Sequence, residues 1–408
     1  MRILVVSHAA ATFEESKGGA DVLALRHAAF LSEEFADVGY VGISHPTDTK
    51  DVGYFPVRDT DLLDYDRLGP RGASFGYLLN HFVRAAKAAL KANDECGRFH
   101  PDVIITHTST ATIILKTFHP RKPLIYQIHD GLFVHRTVKG RAERAVRFLM
   151  NDLLERAAVR RANHVLCVSS SIHVQLLRAG TPADKLSVVP FLPASIDARS
   201  ATARDSSTSI LPSVSPFVLS VGQQSGRKRF DLLIEAMPFV KTPLHLVLVG
   251  DGPLWRHYAE LVNRLGLTSR VHLLRKVSDA ELADFYAHAA AFFLISENEG
   301  FPITLGEAVS YGCRSVLICP NIESTTEYPA ELAQLVRRVP PAPEIAELMD
   351  SAYRASQVQP VVGQTPRTDS PRSEVAENPR QSLKSLYNDV FRRILPPADF
   401  SGFSSPRN

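Results

Sequence analysis

Apolar residues fall in short, almost unbroken runs, and the spans between many of them carry helical spacing. Ile3–Val6, Val38–Val41, Val103–Ile105, Leu124–Ile128 and Val165–Val168 make one series; Phe217–Val221, His245–Val249, Val271–Leu274, Ala291–Ile295 and Ser315–Ile318 make a second. Runs that are apolar at nearly every position predict strands buried on both faces, and their alternation with helices predicts parallel sheets covered by helices. Between the two series, residues 194–216 are rich in Ser, Thr, Ala and Pro and show no period, which predicts a linker. The expected organisation is a first α/β domain over 1–193, that linker, and a second α/β domain over 217–380. Gln357–Pro379 is dense in Pro, Ser, Thr and Gln and reads as irregular. Helical spacing then returns through Leu383, Leu386, Tyr387, Val390, Phe391 and Ile394, giving a terminal helix within 381–395 before a tail at 396–408. No internal repeat of the solenoid kind is visible.

Composition adds bounds. A chain of 408 residues, 45% hydrophobic and 22% charged, can build two separate cores and is not a disordered protein. The formal net charge of +3 is too small to argue for nucleic acid. No apolar stretch approaches the ~18–20 residues of a spanning helix, and the N-terminus does not read as a signal peptide. Cys96, Cys167, Cys313 and Cys319 form no C-x-x-C pair, which suits reduced, buried thiols in a cytoplasmic protein and argues against structural zinc.

The chemistry concentrates in residues 296–312, SENEGFPITLGEAVSYG. After the strand Ala291–Ile295, Pro302 suits an early helical position, so Glu299 is expected before the helix and Glu307 inside it. A helix N-terminus presents N–H groups and partial positive charge to an anion, and flanking carboxylates accept hydrogen bonds from sugar hydroxyls. A diphosphate between two sugars fits that description. If the span were wholly helical, eight residues would part the glutamates by roughly 12 Å, against the ~5–5.5 Å of a retaining glycosidase pair. The two carboxylates are therefore not expected to share one anomeric carbon.

EGFPITLGEA resembles the glutamate-x7-glutamate motif of family-4 retaining glycosyltransferases. The resemblance implies the α/β GT-B fold, with two Rossmann-like domains facing each other across a cleft and a C-terminal helix crossing back to the first domain. It also implies that Glu299 serves the transferred sugar and Glu307 the nucleotide ribose, with Phe301, Ile303 and Thr304 at the helix start that meets the donor. Gly222–Ala236, GQQSGRKRFDLLIEA, resembles the family's stretch in which a glycine-arginine pair precedes a lysine and a DLLIEA-type helix. Gly222 would let the backbone approach the ligand, and Lys228 would meet the diphosphate with Arg227 and Arg229 beside it. Gln223 stands where the family usually has arginine, and Arg229 where it commonly has glycine. In Leu246–Pro253, Gly250 and Gly252 read as markers of the fold. Val271–Arg275 lies where relatives often hold the base, with Arg275 at a position usually glycine.

In the first domain Gly18 and Gly19, just before the amphipathic Val22–Leu31, resemble the family's glycine pair facing the donor phosphate or the acceptor. His129, after Leu124–Ile128, looks like the family's histidine at the mouth of the cleft; His107 sits at an analogous strand end. Catalysis is thus expected to rest on Glu299, His129 and Lys228, with no nucleophile assigned. Neither a metal nor a resident cofactor is expected, the nucleotide-diphosphate sugar being the donor substrate, and Asp59-Thr60-Asp61 reads as a polar loop. A basic run from Arg136 to Arg161, interleaved with Val146, Leu149, Leu153, Leu154 and Ala157, reads as a solvated face of a core helix or as a contact with anionic membrane. The expected partners are a nucleotide-sugar donor and a saccharide or lipid-linked acceptor, with no nucleic acid. The rival readings are a noncatalytic GT-B subunit, which the missing arginine at Gln223 keeps open, and an epimerase or phosphorylase on the same fold, which the glutamate motif disfavours. A nicotinamide enzyme is disfavoured because neither first strand is followed by G-x-G-x-x-G.

Overall fold

A computed structural model describes residues 1–7, 19–35, 37–42, 52–56, 70–129, 152–189, 216–297, 299–322, 333–358 and 379–395. The chain divides into two compact units, Met1–Leu192 with Glu377–Asn408, and Pro193–Ala376. The linker expected over 194–216 lies outside the described residues except for its last position.

The first unit runs β1 (Ile3–Val6), α1 (Gly19–Glu34), β2 (Val38–Gly42), β3 (Val52–Pro56), α2 (Pro70–Phe99), β4 (Val103–Thr106), α3 (Ser109–Phe118), β5 (Leu124–Ile128), α4 (Leu154–Arg161), β6 (His164–Cys167), α5 (Ser170–Arg178) and β7 (Leu186–Val188). The second runs β8 (Phe217–Val221), α6 (Phe230–Ala236), β9 (His245–Val249), α7 (Trp255–Arg264), β10 (Val271–Leu274), α8 (Asp279–His288), β11 (Ala291–Ile295), α9 (Ile303–Ser310), β12 (Ser315–Ile318), β13 (Ala333–Val336) and α10 (Ala342–Val358). The last helix, α11 (Pro379–Ile394), returns to the first unit.

Among the described residues the sheets have seven and six strands, in the orders β3-β2-β1-β4-β5-β6-β7 and β10-β9-β8-β11-β12-β13. Each pairing is parallel. In both sheets the order reverses beside the first strand, which leaves a crevice at the carboxyl ends of β1 and β4, and of β8 and β11, where open α/β sheets take ligands. The central strands are buried along their whole length, as continuous apolar runs require.

Three strands were not evident in the apolar pattern: β3, β7 and β13. All are sheet edges. β3 holds Gly53 and Pro56, which read as breakers but are tolerated at an edge, and β7 and β13 are largely half-exposed.

α11 shows why the C-terminal helix belongs to the first core. Leu383, Tyr387, Val390 and Phe391 recur at the spacing of one helical face and are essentially fully buried against Ile3, Leu25, Phe30 and Tyr40. Tyr387 stacks on Phe30 at 6.2 Å, and Phe391 meets Phe35 edge-on at 5.5 Å. Burial of such side chains is worth roughly 1.5–3 kcal/mol each.

Candidate functional site

The turn leaving β8 is locked to the turn leaving β9. Gly222 N–H donates to Val249 O at 3.0 Å, Gln224 N–H to Asp251 O at 2.9 Å, and the Gln224 amide Nε2 to Gly250 O at 2.7 Å. A Cβ at Gly250, whose φ is +136°, would lie 2.1 Å from Gly222 O; one at Gly252 would lie 2.4 Å from Gln224 O. These glycines serve the packing of the two turns. At Gly222 itself a Cβ would meet nothing nearer than the Lys228 Cε at 3.5 Å, an ordinary contact. The protein does not require glycine there.

The turn continues as a short 3-10 stretch, Gly226–Lys228, into α6. Arg229 joins them at φ +43°, ψ +43°, a left-handed conformation in which glycine is at ease and other residues are strained. Its guanidinium spans the Asp231 carboxylate at 2.9–3.2 Å and reaches Glu297 at 3.7 Å. It is engaged by a carboxylate of its own turn and by one that follows β11, whereas the sequence had set it beside Lys228 for the diphosphate.

Across the crevice, the segment leaving β11 bonds to the same 3-10 turn. Glu297 N–H donates to Arg227 O at 2.9 Å, and the Ser296 hydroxyl to the same oxygen at 3.3 Å. Glu299, 5% exposed, is thereby brought to Lys228: Nζ and Oε1 are 2.6 Å apart, and Arg227 Nη1 lies 3.3 Å from Oε2. Burial alone would raise the Glu299 carboxyl, but Lys228 and Arg227 outweigh it and hold it at about 2. Burial lowers the Lys228 ammonium despite the carboxylate beside it. One carboxylate thus faces two cations at the switch point of the second sheet. The sequence set Lys228 and Arg227 on the diphosphate and Glu299 on the sugar; the direct contact of the carboxylate with both cations was not legible in it.

Helix α9 opens next to this cluster, with Pro302 at the N-cap and no side-chain cap. Ile303 is buried and Phe301 packs on the core, so their side chains face inward and their backbones are what remain for a ligand. The Thr304 Oγ1 is a buried atom without a hydrogen-bond partner in the helix's first turn. Buried hydroxyls are rarely left so, and this one suits an acceptor from outside the chain. One turn on, Glu307 Oε2 accepts from the Tyr286 hydroxyl at 3.1 Å. Tyr286, wholly buried on α8, has its phenol pushed well above the ordinary value by burial and then by Glu307. Sequence reasoning missed it, since a tyrosine at a helical core position gives no sign of where its hydroxyl reaches.

At the carboxyl edges of β9 and β10, Arg275 pairs with Asp251 at 3.0 Å and lies over the Trp255 ring at 4.9 Å. In the first unit, His129 follows β5, half-buried, with Nε2 2.9 Å from the Nδ1 of His107. Burial, and then His27, push the His129 imidazole down to about 3, so it is neutral at pH 7. Gly19 is the first residue of α1; Gly18 lies outside the described residues, as do Asp59–Asp61 and Arg136–Asn151. In the described end of the basic run, α4 buries Ala158 and Val159 and exposes Arg160 and Arg161. All four cysteines are free and buried, with thiols raised to about 11 or 12. Among the described residues no three His, Cys, Asp or Glu side chains gather as a metal set, and no helix is long and apolar enough to cross a membrane.

Comparison with known proteins gives the following. Residues 17–191 match the family described as Glycosyltransferase Family 4, and residues 204–351 match Glycosyl transferases group 1. The chain is 33% identical over 108 residues to the N-acetylgalactosamine-N,N'-diacetylbacillosaminyl-diphospho-undecaprenol 4-alpha-N-acetylgalactosaminyltransferase of Campylobacter jejuni; that stretch is 26% of this chain and 28% of the relative's length. Among solved structures, sucrose-phosphate synthase from Thermosynechococcus elongatus superimposes with a TM-score of 0.67 at 18% identity, over 96% of this chain and 98% of its own. Anabaena HepE, solved with UDP and glucose, does so with a TM-score of 0.61 at 19% identity, over 97% of both chains.

Proposed function

Because the chain belongs to the family-4 glycosyltransferases and has their GT-B fold, we propose that it moves a hexose-type sugar from a nucleotide-diphosphate sugar to an acceptor hydroxyl, with the anomeric configuration retained and without a metal ion. The observation that carries this is the Lys228–Glu299–Arg227 cluster at the switch point of the second sheet, beside the start of α9. In such a transfer negative charge develops on the departing diphosphate. Lys228, Arg227, the first turn of α9 and the Thr304 hydroxyl would meet that charge, and groups fixed before the reaction stabilise it without reorganising.

Glu299, ionised at any pH above about 2, would accept hydrogen bonds from the transferred sugar while holding the two cations in place. Glu307, steadied by Tyr286, would take the ribose hydroxyls, and neutral His129 a sugar hydroxyl at the reacting face. Gly18 and Gly19 would meet the donor phosphate or the acceptor. The HepE structure with UDP and glucose makes UDP-hexoses the first donors to try. The Campylobacter transferase, whose name carries a diphospho-undecaprenol acceptor, supports a saccharide or lipid-linked acceptor in polysaccharide or glycolipid synthesis. Contact of the basic α4 surface with anionic lipid belongs to the same proposal; no enrichment on anionic liposomes at low salt would remove it.

The test is turnover by the purified chain with a panel of nucleotide sugars and lipid-linked or free saccharides. Product with one donor, lost in Glu299→Gln, is expected. A chain that binds a nucleotide but forms no product with any acceptor would instead be a noncatalytic subunit, and Glu299→Gln with intact turnover would remove Glu299 from the reaction.

A further inference from the structure

Behind His129 lies a buried polar group that the proposed transfer does not use. His107 closes β4, its backbone N–H bonded to Val6 O at 3.0 Å, and the next residue, Thr108, caps α3. The ring therefore hangs from backbone fixed on both sides. It is 6% exposed, and its Nδ1 lies 2.9 Å from the Nε2 of His129, with ring centroids 5.2 Å apart. His27 of α1 stands behind it at 6.5 Å, hydrogen-bonded through Nδ1 to the Oε1 of Gln127 at 2.8 Å, and Tyr387 of α11 meets His27 edge-on at 6.3 Å. His107 is thus buried between the end of β4, His27 of α1 and His129, and its ring has little room to turn.

An imidazole–imidazole hydrogen bond holds one proton on its line, so the tautomers of the two rings are coupled, and the fixed surroundings of the buried His107 select which one is held. A free imidazole exchanges between both. We infer that His107 is a positioning residue for His129, holding it in one tautomer with Nε2 occupied so that Nδ1 is the nitrogen offered to the ligand. Whether His129 donates to or accepts from a sugar hydroxyl is then decided by a residue behind it. This rests on the reading of His129 as the first-unit group at the reacting face, but the tautomer can be measured without any substrate.

The experiment is long-range proton–nitrogen correlation on the 15N-labelled full chain at pH 7, with the His129 signals identified by their loss in His129→Gln. One fixed neutral tautomer is expected in the wild type. His107→Asn, which keeps a polar atom near the place of Nδ1, should retain it, and His107→Leu should give a mixture of the two. Averaged His129 nitrogens in the wild type, or a His107→Leu spectrum equal to wild type, would overturn the inference; the first of these stands even if the Leu variant does not fold. Once a donor is known, His107→Leu should lower kcat by about tenfold or more, within the range of a lost proton-handling group, at unchanged donor KM, with recovery in His107→Asn. A fixed tautomer with turnover indifferent to His129→Gln supports the inference and counts instead against the role proposed for His129.

Discussion

Replacing Glu299 by glutamine removes the charge and little else. In the wild type its carboxyl is held at about 2 against an ordinary 4.5, a difference worth roughly 3 kcal/mol at ~1.4 kcal/mol per pH unit. The folded-state value is depressed, so this stability is fully present above pH 4.5 and is lost as pH falls through about 2. In the variant Lys228, 8% exposed, would sit beside Arg227 with its carboxylate partner gone. Breaking a buried pair in this way costs about 3–5 kcal/mol. The loss should shrink as pH rises, because burial already lowers the Lys228 ammonium, and once it discharges the variant gains relative to the unfolded chain. Two further outcomes follow from the same electrostatics. Glu299→Gln combined with Lys228→Met should lie closer to wild type than Glu299→Gln alone, and a nucleoside diphosphate, no longer competing with Glu299 for Lys228, should stabilise Glu299→Gln more than it does wild type. The assay is urea unfolding between pH 6 and 10 followed by the fluorescence of Trp255, the only tryptophan of the chain and a residue of the second unit. Equal midpoints for Glu299→Gln and wild type across that range would refute the buried ion cluster.

Arg229→Gly relieves the left-handed backbone but gives up the Asp231 pair, whereas Arg229→Ala keeps the strain and gives up the pair; the glycine variant should be the more stable by about 1 kcal/mol, and equal melting midpoints would contradict the strain. Gly222→Ala meets no close protein atom, so its Tm should equal wild type while nucleoside diphosphate binding weakens about tenfold (~1.4 kcal/mol); unchanged affinity by calorimetry would mean that the ligand does not approach that backbone. Transfer should persist in excess chelator, since the diphosphate charge is assigned to Lys228, Arg227 and a helix start; full loss restored by manganese would overturn the metal-free assignment.

Central strands such as β8 and β11 could be read from sequence because burial on both faces demands apolar residues throughout. The edge strands β3, β7 and β13 could not, because an edge accepts Gly, Pro and polar residues and so looks like a loop. The site divides in the same way. Glu299, Lys228 and Glu307 stood out as candidates because a strand end, a glycine turn and a helix start leave a one-dimensional pattern. Their wiring was not: Lys228 and Glu299 are 71 positions apart and meet only through the β8–β11 pairing. Tyr286 under Glu307, His107 under His129 and the turn of Arg229 onto Asp231 are likewise set by packing, which sequence spacing does not record.

If the cluster at the β8–β11 switch point takes a nucleotide diphosphate, thermal unfolding of the purified chain must respond to UDP, GDP, ADP or their common sugars. At ~100 times its dissociation constant a ligand adds about 2.7 kcal/mol, which for domains of this size moves the midpoint by several degrees. A selective rise with one nucleotide, lost in Glu307→Ala, is expected; a folded protein whose midpoint moves with none of them would rule out a donor site at the cluster.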